Sequence, residues 1–220
     1  MKTEIIRLEG WTLRARLPTD LAGAPALLML HGWLGDEDVM WIFASKAPDG
    51  FALFSPQAPY QVPGGGFSWV RNRGSGLSKF TDFEPAVAAL DGLIDALAGR
   101  FYGEFSKVHV MGFSQGAALA YCWAARSPGR IRSLAALAGF PPEGLEANLK
   151  GGDWNGLPVF IAHGTQDEVV PVSHMRAGAR IAERAGAALN LCEDAVGHKL
   201  SANCHRALGH FYESLIANPG

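Results

Sequence analysis

The chain has 220 residues, which is long enough for one sizeable hydrophobic core, and we expect a single domain over residues 1–220. Its net charge is −2 and its 19 Lys and Arg residues are scattered along the sequence, so a nucleic-acid partner is not expected. A hydrophobic content of 48% excludes general disorder.

The N-terminal residues, MKTEIIRLEG, include Glu4 and lack the apolar core of a secretory signal. The longest uninterrupted apolar stretch, residues 117–125, is too short to cross a bilayer and predicts a buried helix. We therefore expect no integral membrane segment and a cytoplasmic location.

The three cysteines, Cys122, Cys192 and Cys204, form no C-x-x-C pair. Their odd number argues against both a disulfide framework and a zinc site. We interpret all three as small buried apolar side chains.

Apolar runs of strand length alternate with stretches of helical spacing. Residues 5–17 alternate loosely and predict one or two antiparallel edge strands. Strand-length runs follow at residues 26–30, 51–54, 108–111, 131–137, 159–162 and 188–191. One helical face contains Val87, Leu90, Ile94 and Leu97. Asp82 is predicted to cap the start of that helix. This alternation is typical of a parallel sheet with crossover helices.

Two segments have the composition of loops that could line a pocket, namely residues 61–76 and residues 139–156. Neither is long enough to form a large cap domain. The first contains Gly64-Gly65-Gly66, which lacks the Lys-Ser/Thr of a phosphate loop, and we interpret it as a flexible rim.

The run Gly112-Phe113-Ser114-Gln115-Gly116 matches the G-x-S-x-G pattern. It lies between a predicted strand and a predicted helix, as the pattern requires. The glycines leave room for neighbouring backbone, and the sharp turn would hold the serine hydroxyl clear of the sheet. Ser114 is therefore the predicted nucleophile.

A serine nucleophile needs a histidine base that is oriented by a carboxylate, and here both would follow in chain order. Asp167 lies just after an apolar strand, and turn geometry favours it over its neighbour Glu168. His198 lies on a loop between the last predicted strand and the final helix. Four other histidines fall within predicted strands or helices and are interpreted as structural or solvated: His109, His174, His205 and His210.

The oxyanion formed during acyl transfer needs two backbone N–H donors. One should come from Gln115, the residue after the nucleophile. The second should come from the loop at residues 31–36, with Trp33 as the first choice and Leu34 as the second. His31, in the same loop, is interpreted as a structural brace, because His198 already occupies the position of the base.

At these residues the chain resembles the phospholipase/carboxylesterase family of α/β-hydrolases, which includes acyl-protein thioesterases and small bacterial carboxylesterases. The similar segments are Leu30-His31-Gly32 with Leu34-Gly35-Asp36, Ser55-Pro56-Gln57-Ala58-Pro59, Gly112-Phe113-Ser114-Gln115-Gly116, His163-Gly164 with Asp167, Val170-Pro171 and Gly197-His198. The resemblance implies an α/β-hydrolase fold with a mostly parallel central sheet, helices on both faces and no large cap domain. It also implies hydrolysis of carboxylic esters or thioesters, and with the predicted serine nucleophile we expect an acyl-enzyme intermediate. No cofactor and no metal are expected.

One departure from the family concerns the loop after the first buried strand. Family members commonly read His-Gly-Leu-Gly-Asp, whereas here Trp33 is inserted between Gly32 and Leu34. The insertion leaves the second oxyanion donor ambiguous. Together with Phe67 and Trp69, the bulky Trp33 could also narrow the acyl pocket, so Phe67 and Trp69 are candidate pocket residues.

Two other functions are kept as alternatives. A dienelactone-hydrolase-like lactonase would share the fold, although such enzymes typically use a cysteine nucleophile. A non-catalytic binding module with a hydrolase fold is disfavoured, because all three predicted catalytic residues are present in order. The expected partner is a small-molecule ester or thioester, and a homodimer is left open.

Overall fold

The computed structural model describes residues 3–71, 77–101, 105–149 and 153–217. Residues 72–76 and 150–152, which belong to the two predicted loops, lie outside this part of the chain, as do the ends of the predicted domain.

Ten strands are present in the described residues: β1 (Thr3–Leu8), β2 (Trp11–Arg16), β3 (Ala26–Leu30), β4 (Ala52–Pro56), β5 (Tyr60–Gln61), β6 (Phe67–Ser68), β7 (Val108–Phe113), β8 (Ile131–Leu137), β9 (Pro158–Gly164) and β10 (Ala188–Asp194). Eight of them form one sheet in the order β1-β2-β4-β3-β7-β8-β9-β10, while β5 and β6 form a separate hairpin. The pairs β1–β2 and β2–β4 are antiparallel, and all later pairs are parallel. The predicted antiparallel N-terminal strands and the six apolar strands are confirmed.

The central strands are mostly apolar because helices cover both faces of the sheet. Every residue of β3 and of β4 is buried. By contrast, β10 is the last strand of the sheet and has only one buried residue, Cys192.

Four α-helices are described: α1 (Phe80–Phe101), α2 (Gln115–Arg126), α3 (Val172–Arg184) and α4 (Ala202–Ala217). Helices α1, α2 and α3 contribute to one hydrophobic core. Helix α4 and a 3₁₀ helix at Val39–Lys46 contribute to a second core on the other face. None of the described helices is long and apolar enough to span a membrane.

Asp82 was expected to be the residue that begins α1, and this placement is wrong. The helix already begins at Phe80, so Asp82 lies within its first turn. Its Oδ2 accepts a hydrogen bond from the backbone N–H of Lys79 at 2.7 Å. The carboxylate therefore still satisfies an amide at the helix start, from inside the helix.

The interpretation of the cysteines as three free apolar side chains is also wrong. Cys192 on β10 and Cys204 in the first turn of α4 form a disulfide, with their Cα atoms 5.6 Å apart. Cys122 is the free cysteine, and it is buried in α2 as expected. An odd count excludes complete pairing but leaves a single pair open, and only the packing of α4 against β10 brings these two together.

Because parallel strands point the same way, their carboxyl ends share one edge of the sheet. The segments that follow β3, β7, β9 and β10 therefore meet there. These segments contain Ser114, Asp167, His198 and the loop at residues 31–36, which is called the oxyanion loop below after its predicted role.

Candidate active site

Ser114 lies on a sharp turn between β7 and α2. Its backbone is strained, with φ at 53° and ψ at −114°. A Cβ on Gly112 would lie 2.2 Å from the carbonyl oxygen of Gly116, and a Cβ on Gly116 would lie 2.1 Å from that of Leu30. No side chain larger than hydrogen fits at either glycine. The two glycines therefore permit the turn that lifts the serine hydroxyl from the sheet.

Ser114, His198 and Asp167 are joined by two hydrogen bonds. His198 Nδ1 lies 2.7 Å from Asp167 Oδ2, and His198 Nε2 lies 3.1 Å from Ser114 Oγ. A carboxylate is an acceptor, so the ring proton is on Nδ1 and Nε2 is left to accept the serine proton. The structure thus brings together the three residues that the sequence pattern selected, in the geometry that activates a hydroxyl nucleophile.

Asp167 is buried, and it accepts hydrogen bonds from backbone amides as well as from His198. Its Oδ1 accepts hydrogen bonds from the backbone N–H groups of Val169 and Val170, each at 2.9 Å. Burial alone would raise the pKa of Asp167, but the hydrogen bonds from Val170 and His198 outweigh it and lower the pKa below its usual value. Asp167 is therefore ionised at neutral pH. Glu168, the alternative acid, is exposed to solvent.

His163, which sequence reasoning treated only as part of the family resemblance, lies beneath Asp167. Its Nε2 is 2.7 Å from the carbonyl oxygen of Val170 and 3.3 Å from Asp167 Oδ2. Because a carbonyl is an acceptor, the proton is on Nε2. Burial is the main cause that lowers the pKa of His163. A neutral His163 thus braces the turn that carries the acid. Its position four residues before Asp167, at the end of the strand, is the signal that could have identified it.

The oxyanion loop at residues 31–36 packs directly against the turn at Ser114, since a Cβ on Gly32 would lie 3.3 Å from Ser114 Cβ. His31 is buried, and its Nε2 accepts a hydrogen bond from the N–H of Ala58 at 3.0 Å, which places the ring proton on Nδ1. Nδ1 donates to the carbonyl oxygen of Gly32 at 2.7 Å. Burial lowers the pKa of His31, in keeping with this neutral form. His31 therefore braces the loop, as interpreted from the sequence.

Of the two residues considered for the second oxyanion donor, the structure disfavours Leu34. Its N–H donates to the carbonyl oxygen of Phe67 at 2.9 Å, so it cannot also serve the substrate, and this alternative is wrong. Trp33 precedes it and lines the small cavity beside Ser114. Gln115 is the first residue of α2, and the first N–H groups of a helix have no carbonyl partner within the helix.

Trp69 was predicted to line the acyl pocket, but it is fully buried and cannot contact a substrate from this position. Its indole N–H donates to the carbonyl oxygen of His31 at 2.8 Å. Its backbone N–H donates to Oε1 of Gln115 at 3.0 Å. Trp69 therefore links the loop at residues 31–36 to Gln115, the residue after Ser114, which is a supporting role.

Phe67 is half-buried, and it supports the oxyanion loop through its backbone. Its N–H donates to the carbonyl oxygen of Gly35, and its carbonyl oxygen accepts the hydrogen bond from Leu34. Two backbone hydrogen bonds therefore join β6 to the oxyanion loop. Gly66 permits this approach, because a Cβ there would lie 2.1 Å from the carbonyl oxygen of Leu34. Gly66 is therefore packed against the loop, whereas Gly64 and Gly65 are exposed and have no atom within 4 Å of a Cβ. The interpretation of these glycines as a flexible rim stays a prediction.

Two cavities meet at Trp33. The smaller one lies beside Ser114 and is bounded by Leu77, Phe140, Val169 and Val170, among others. The larger one, about 280 Å³, lies on the other side of Trp33 and has walls from Met40, Ile42, Phe43 and Phe113. The ring of Phe113 also lies 5.0 Å from the imidazole of His198, so this apolar cleft borders the catalytic histidine candidate. Neither Phe67 nor Trp69 is among the described residues that line these cavities.

Within the described residues, no group of three or more His, Cys, Asp or Glu side chains could hold a metal ion. The site combines a hydroxyl, an imidazole and a buried carboxylate with the backbone amides predicted as oxyanion donors. This set of groups suits acyl transfer.

A mostly parallel sheet covered by helices on both faces, with a serine on the turn between a strand and a helix at its carboxyl edge, defines an α/β-hydrolase. The chain belongs to the phospholipase/carboxylesterase family, whose family model matches residues 18–216. The expected fold and the family resemblance are therefore confirmed. The protein is a hydrolase that acts on ester bonds, and a small-molecule ester is its class of substrate.

Individual relatives agree with this family. The chain is 28% identical to acyl-protein thioesterase 1 of Eremothecium gossypii over 166 residues, which cover 67% of this chain and 68% of that protein. The carboxylesterase of Bacillus cereus superposes with a TM-score of 0.83 at 19% identity, covering 94% of this chain and 95% of that one. The carboxylesterase from Mesorhizobium loti gives a TM-score of 0.80 at 18% identity, covering 98% and 99%. At these identities, the two structures support the fold alone.

Proposed function

We propose that the chain is a serine carboxylesterase or thioesterase in which Ser114 is the nucleophile, His198 the general base and Asp167 the residue that orients the base. The observation that supports this proposal is the continuous hydrogen-bonded chain from Ser114 Oγ through His198 to Asp167. The family accounts for ester hydrolysis, and this geometry accounts for how it would proceed.

In the first step, Ser114 Oγ attacks the carbonyl carbon while His198 Nε2 takes the serine proton. The ionised Asp167 stabilises the imidazolium that forms. When the tetrahedral intermediate collapses, His198 gives the proton to the leaving alcohol or thiol, and the acyl group stays on Ser114. In the second step His198 takes a proton from water, the hydroxide attacks the acyl-enzyme, and the carboxylic acid leaves as Ser114 regains its proton.

The negative oxygen of each intermediate would be bound by the N–H groups of Gln115 and Trp33. The start of α2 adds the positive end of a helix dipole at the same place. The site has these dipoles in place before the substrate arrives, because His31 and Trp69 already brace the loop.

For the substrate we propose an ester or thioester with an apolar group that occupies the cleft of about 280 Å³ beside Trp33. Burial of an apolar chain against these walls contributes about 0.8 kcal/mol per methylene. A thioester is included because the relative from Eremothecium gossypii is named an acyl-protein thioesterase.

The test compares Ser114→Ala with Ser45→Ala, a matched control in which an exposed serine is changed. With p-nitrophenyl butyrate we expect kcat to fall by about 10³-fold or more in the first variant and to stay within about twofold in the second. A fluorophosphonate probe should label Ser114, as identified by peptide mass spectrometry. Turnover retained by Ser114→Ala would refute the proposal. An unlabelled wild type would favour the binding module, and faster turnover of lactones than of esters would favour the lactonase.

A further inference from the structure

The Cys192–Cys204 disulfide brackets the loop that carries His198. Cys192 lies on β10 and Cys204 in the first turn of α4, and His198 is midway between them in the chain. Both cysteines are buried, at 7% and 1% exposure. The disulfide therefore closes a short loop of the chain, and His198, the proposed base, is the residue of that loop farthest in sequence from both cysteines.

The half of this loop before His198 is anchored to the sheet by its backbone. The N–H of Gln166 donates to the carbonyl oxygen of Val196 at 3.1 Å, and the N–H of Thr165 donates to that of Asp194 at 2.8 Å. In addition, Gly164 lies so close that a Cβ there would meet the carbonyl oxygen of Val196 at 2.1 Å. This half is held by the turn that also carries Asp167.

The half after His198 is anchored differently. It passes through the exposed Lys199 to the buried Leu200, and the hydrogen bonds of Ser201 join it to α4 itself, with the N–H groups of Cys204 and His205 as donors. Ser201 is also hydrogen-bonded to Asp194 at the end of β10, so the position of this half depends on how the start of α4 is held against that strand. The disulfide ties that first turn to β10, which is the last strand of the sheet and is supported by β9 from one side.

We propose that the Cys192–Cys204 disulfide is a positioning element for His198, so that the full rate of ester hydrolysis requires the oxidised pair. The inference rests on the proposed function, in which His198 is the base. Reduction by a dithiol would break the Sγ–Sγ bond: the dithiol loses two electrons and two protons to become a disulfide, and the two cysteines become thiols. The loop then gains freedom at its α4 end, and displacement of a catalytic group by about 1 Å can lower the rate by about 10²-fold.

The experiment compares Cys192→Ala/Cys204→Ala with Cys122→Ala, a matched control that removes the buried cysteine outside the pair. We expect the double variant to lose about tenfold or more in kcat on p-nitrophenyl butyrate. KM should stay within about twofold, because neither cysteine lines the two cavities that meet at Trp33. Cys122→Ala should keep both constants. Assays run well below the melting temperature of each variant, with near-UV circular dichroism as the check on native packing.

Reduced wild-type protein supplies the second measurement. Thiol titration in denaturant should find one thiol before dithiothreitol treatment and three after it. The reduced protein should show the same loss of kcat as the double variant, and reoxidation should restore it. Dithiothreitol should not change the double variant further.

Three results would overturn the inference: three thiols before reduction, an unchanged kcat after the pair is removed, or loss of native packing together with activity in both the double variant and the reduced wild type. The last result would mean that the disulfide only stabilises the fold. Failure of the proposed function is recognised separately, because Ser114→Ala would then retain the wild-type turnover whatever the state of the disulfide.

Discussion

Replacement of Asp167 by Asn tests the proposed mechanism most directly, because the structure dictates how the amide would be oriented. Asp167 Oδ1 accepts two backbone N–H groups, from Val169 and Val170. An asparagine must place its carbonyl oxygen there, since an NH₂ group would face two donors. Its NH₂ group is then forced toward the position that Oδ2 occupies now.

In that orientation the amide presents a donor to His198 Nδ1, which at present donates to Oδ2 at 2.7 Å. His198 must then carry its proton on Nε2 in order to accept the amide hydrogen bond. Nε2 can no longer accept the proton of Ser114, which lies 3.1 Å away. The N–H of His163, 3.3 Å from Oδ2, already donates to the carbonyl oxygen of Val170, so one occupied donor opposes this orientation whereas two backbone donors at Oδ1 favour it. Asp167→Asn would therefore keep the arrangement of the three side chains but hold His198 in the tautomer that cannot accept the serine proton.

We expect kcat to fall by about 10³- to 10⁴-fold, the loss that a wrong tautomer causes in serine hydrolases. This corresponds to about 4 to 5.5 kcal/mol in the activation free energy. The assay is steady-state hydrolysis of p-nitrophenyl butyrate at pH 7.5, with circular dichroism to confirm folding.

Glu168→Gln is the matched control, since it makes the same chemical change at the neighbouring exposed carboxylate. It should leave kcat within about twofold of the wild type, as expected of a surface substitution. An Asp167→Asn variant that keeps more than a tenth of the wild-type kcat would refute the tautomer argument. A comparable loss in Glu168→Gln would identify the other acid as the catalytic one.

Two further predictions concern the loop support and the pH dependence of stability. Gly66→Ala should lower kcat by about tenfold or more, because its Cβ would meet the carbonyl oxygen of Leu34 at 2.1 Å and displace the oxyanion loop. Gly64→Ala shares the positive φ but has nothing within 4 Å, so steady-state kinetics should show a near-normal kcat, and equal losses in the two variants would contradict the contact. His109 is buried, and burial, aided by the charge of Arg132, lowers its pKa from 6.5 to about 4. As the pH falls, His109 is therefore protonated in the unfolded chain before it is protonated in the folded protein. The stability that neutral His109 contributes is fully present above about pH 6.5 and is lost as the pH falls toward 4, at up to about 1.4 kcal/mol per pH unit. Urea unfolding of wild type and His109→Gln at pH 7 and pH 5 measures this effect. Between these pH values the free energy of unfolding should fall less in the variant than in the wild type, by about 1 to 2 kcal/mol. Equal falls in the two proteins would contradict the pKa shift.

The disulfide also bears on the compartment in which the protein works. A cytoplasmic location was expected from the N-terminal residues and from the lack of an apolar stretch long enough to cross a bilayer. Disulfides persist mainly in oxidising environments. The pairing of Cys192 with Cys204 is therefore not what a cytoplasmic location predicts.

The sequence alone determined the features that depend on near neighbours in the chain. The turn at Ser114 is a local steric requirement, since glycines two residues before and after the serine are what the close backbone contacts demand. The alternation of strands and helices is equally local, and it places the segments after β7, β9 and β10 at one edge of the sheet. The positions of Ser114, Asp167 and His198 could therefore be predicted in advance of the fold.

The tertiary structure decided every question that depends on a distant partner. The sequence left Leu34 open as an alternative to Trp33 for the second oxyanion donor, and only the pairing with Phe67 shows that the N–H of Leu34 is occupied. Trp69 is buried in the core, where its indole N–H donates to the carbonyl oxygen of His31. This contact cannot be inferred from the aromatic character of the residue. Cys192 meets Cys204 because α4 packs against β10. A hydrogen bond or a disulfide needs both partners at a defined distance, and that distance is set by how the elements pack together.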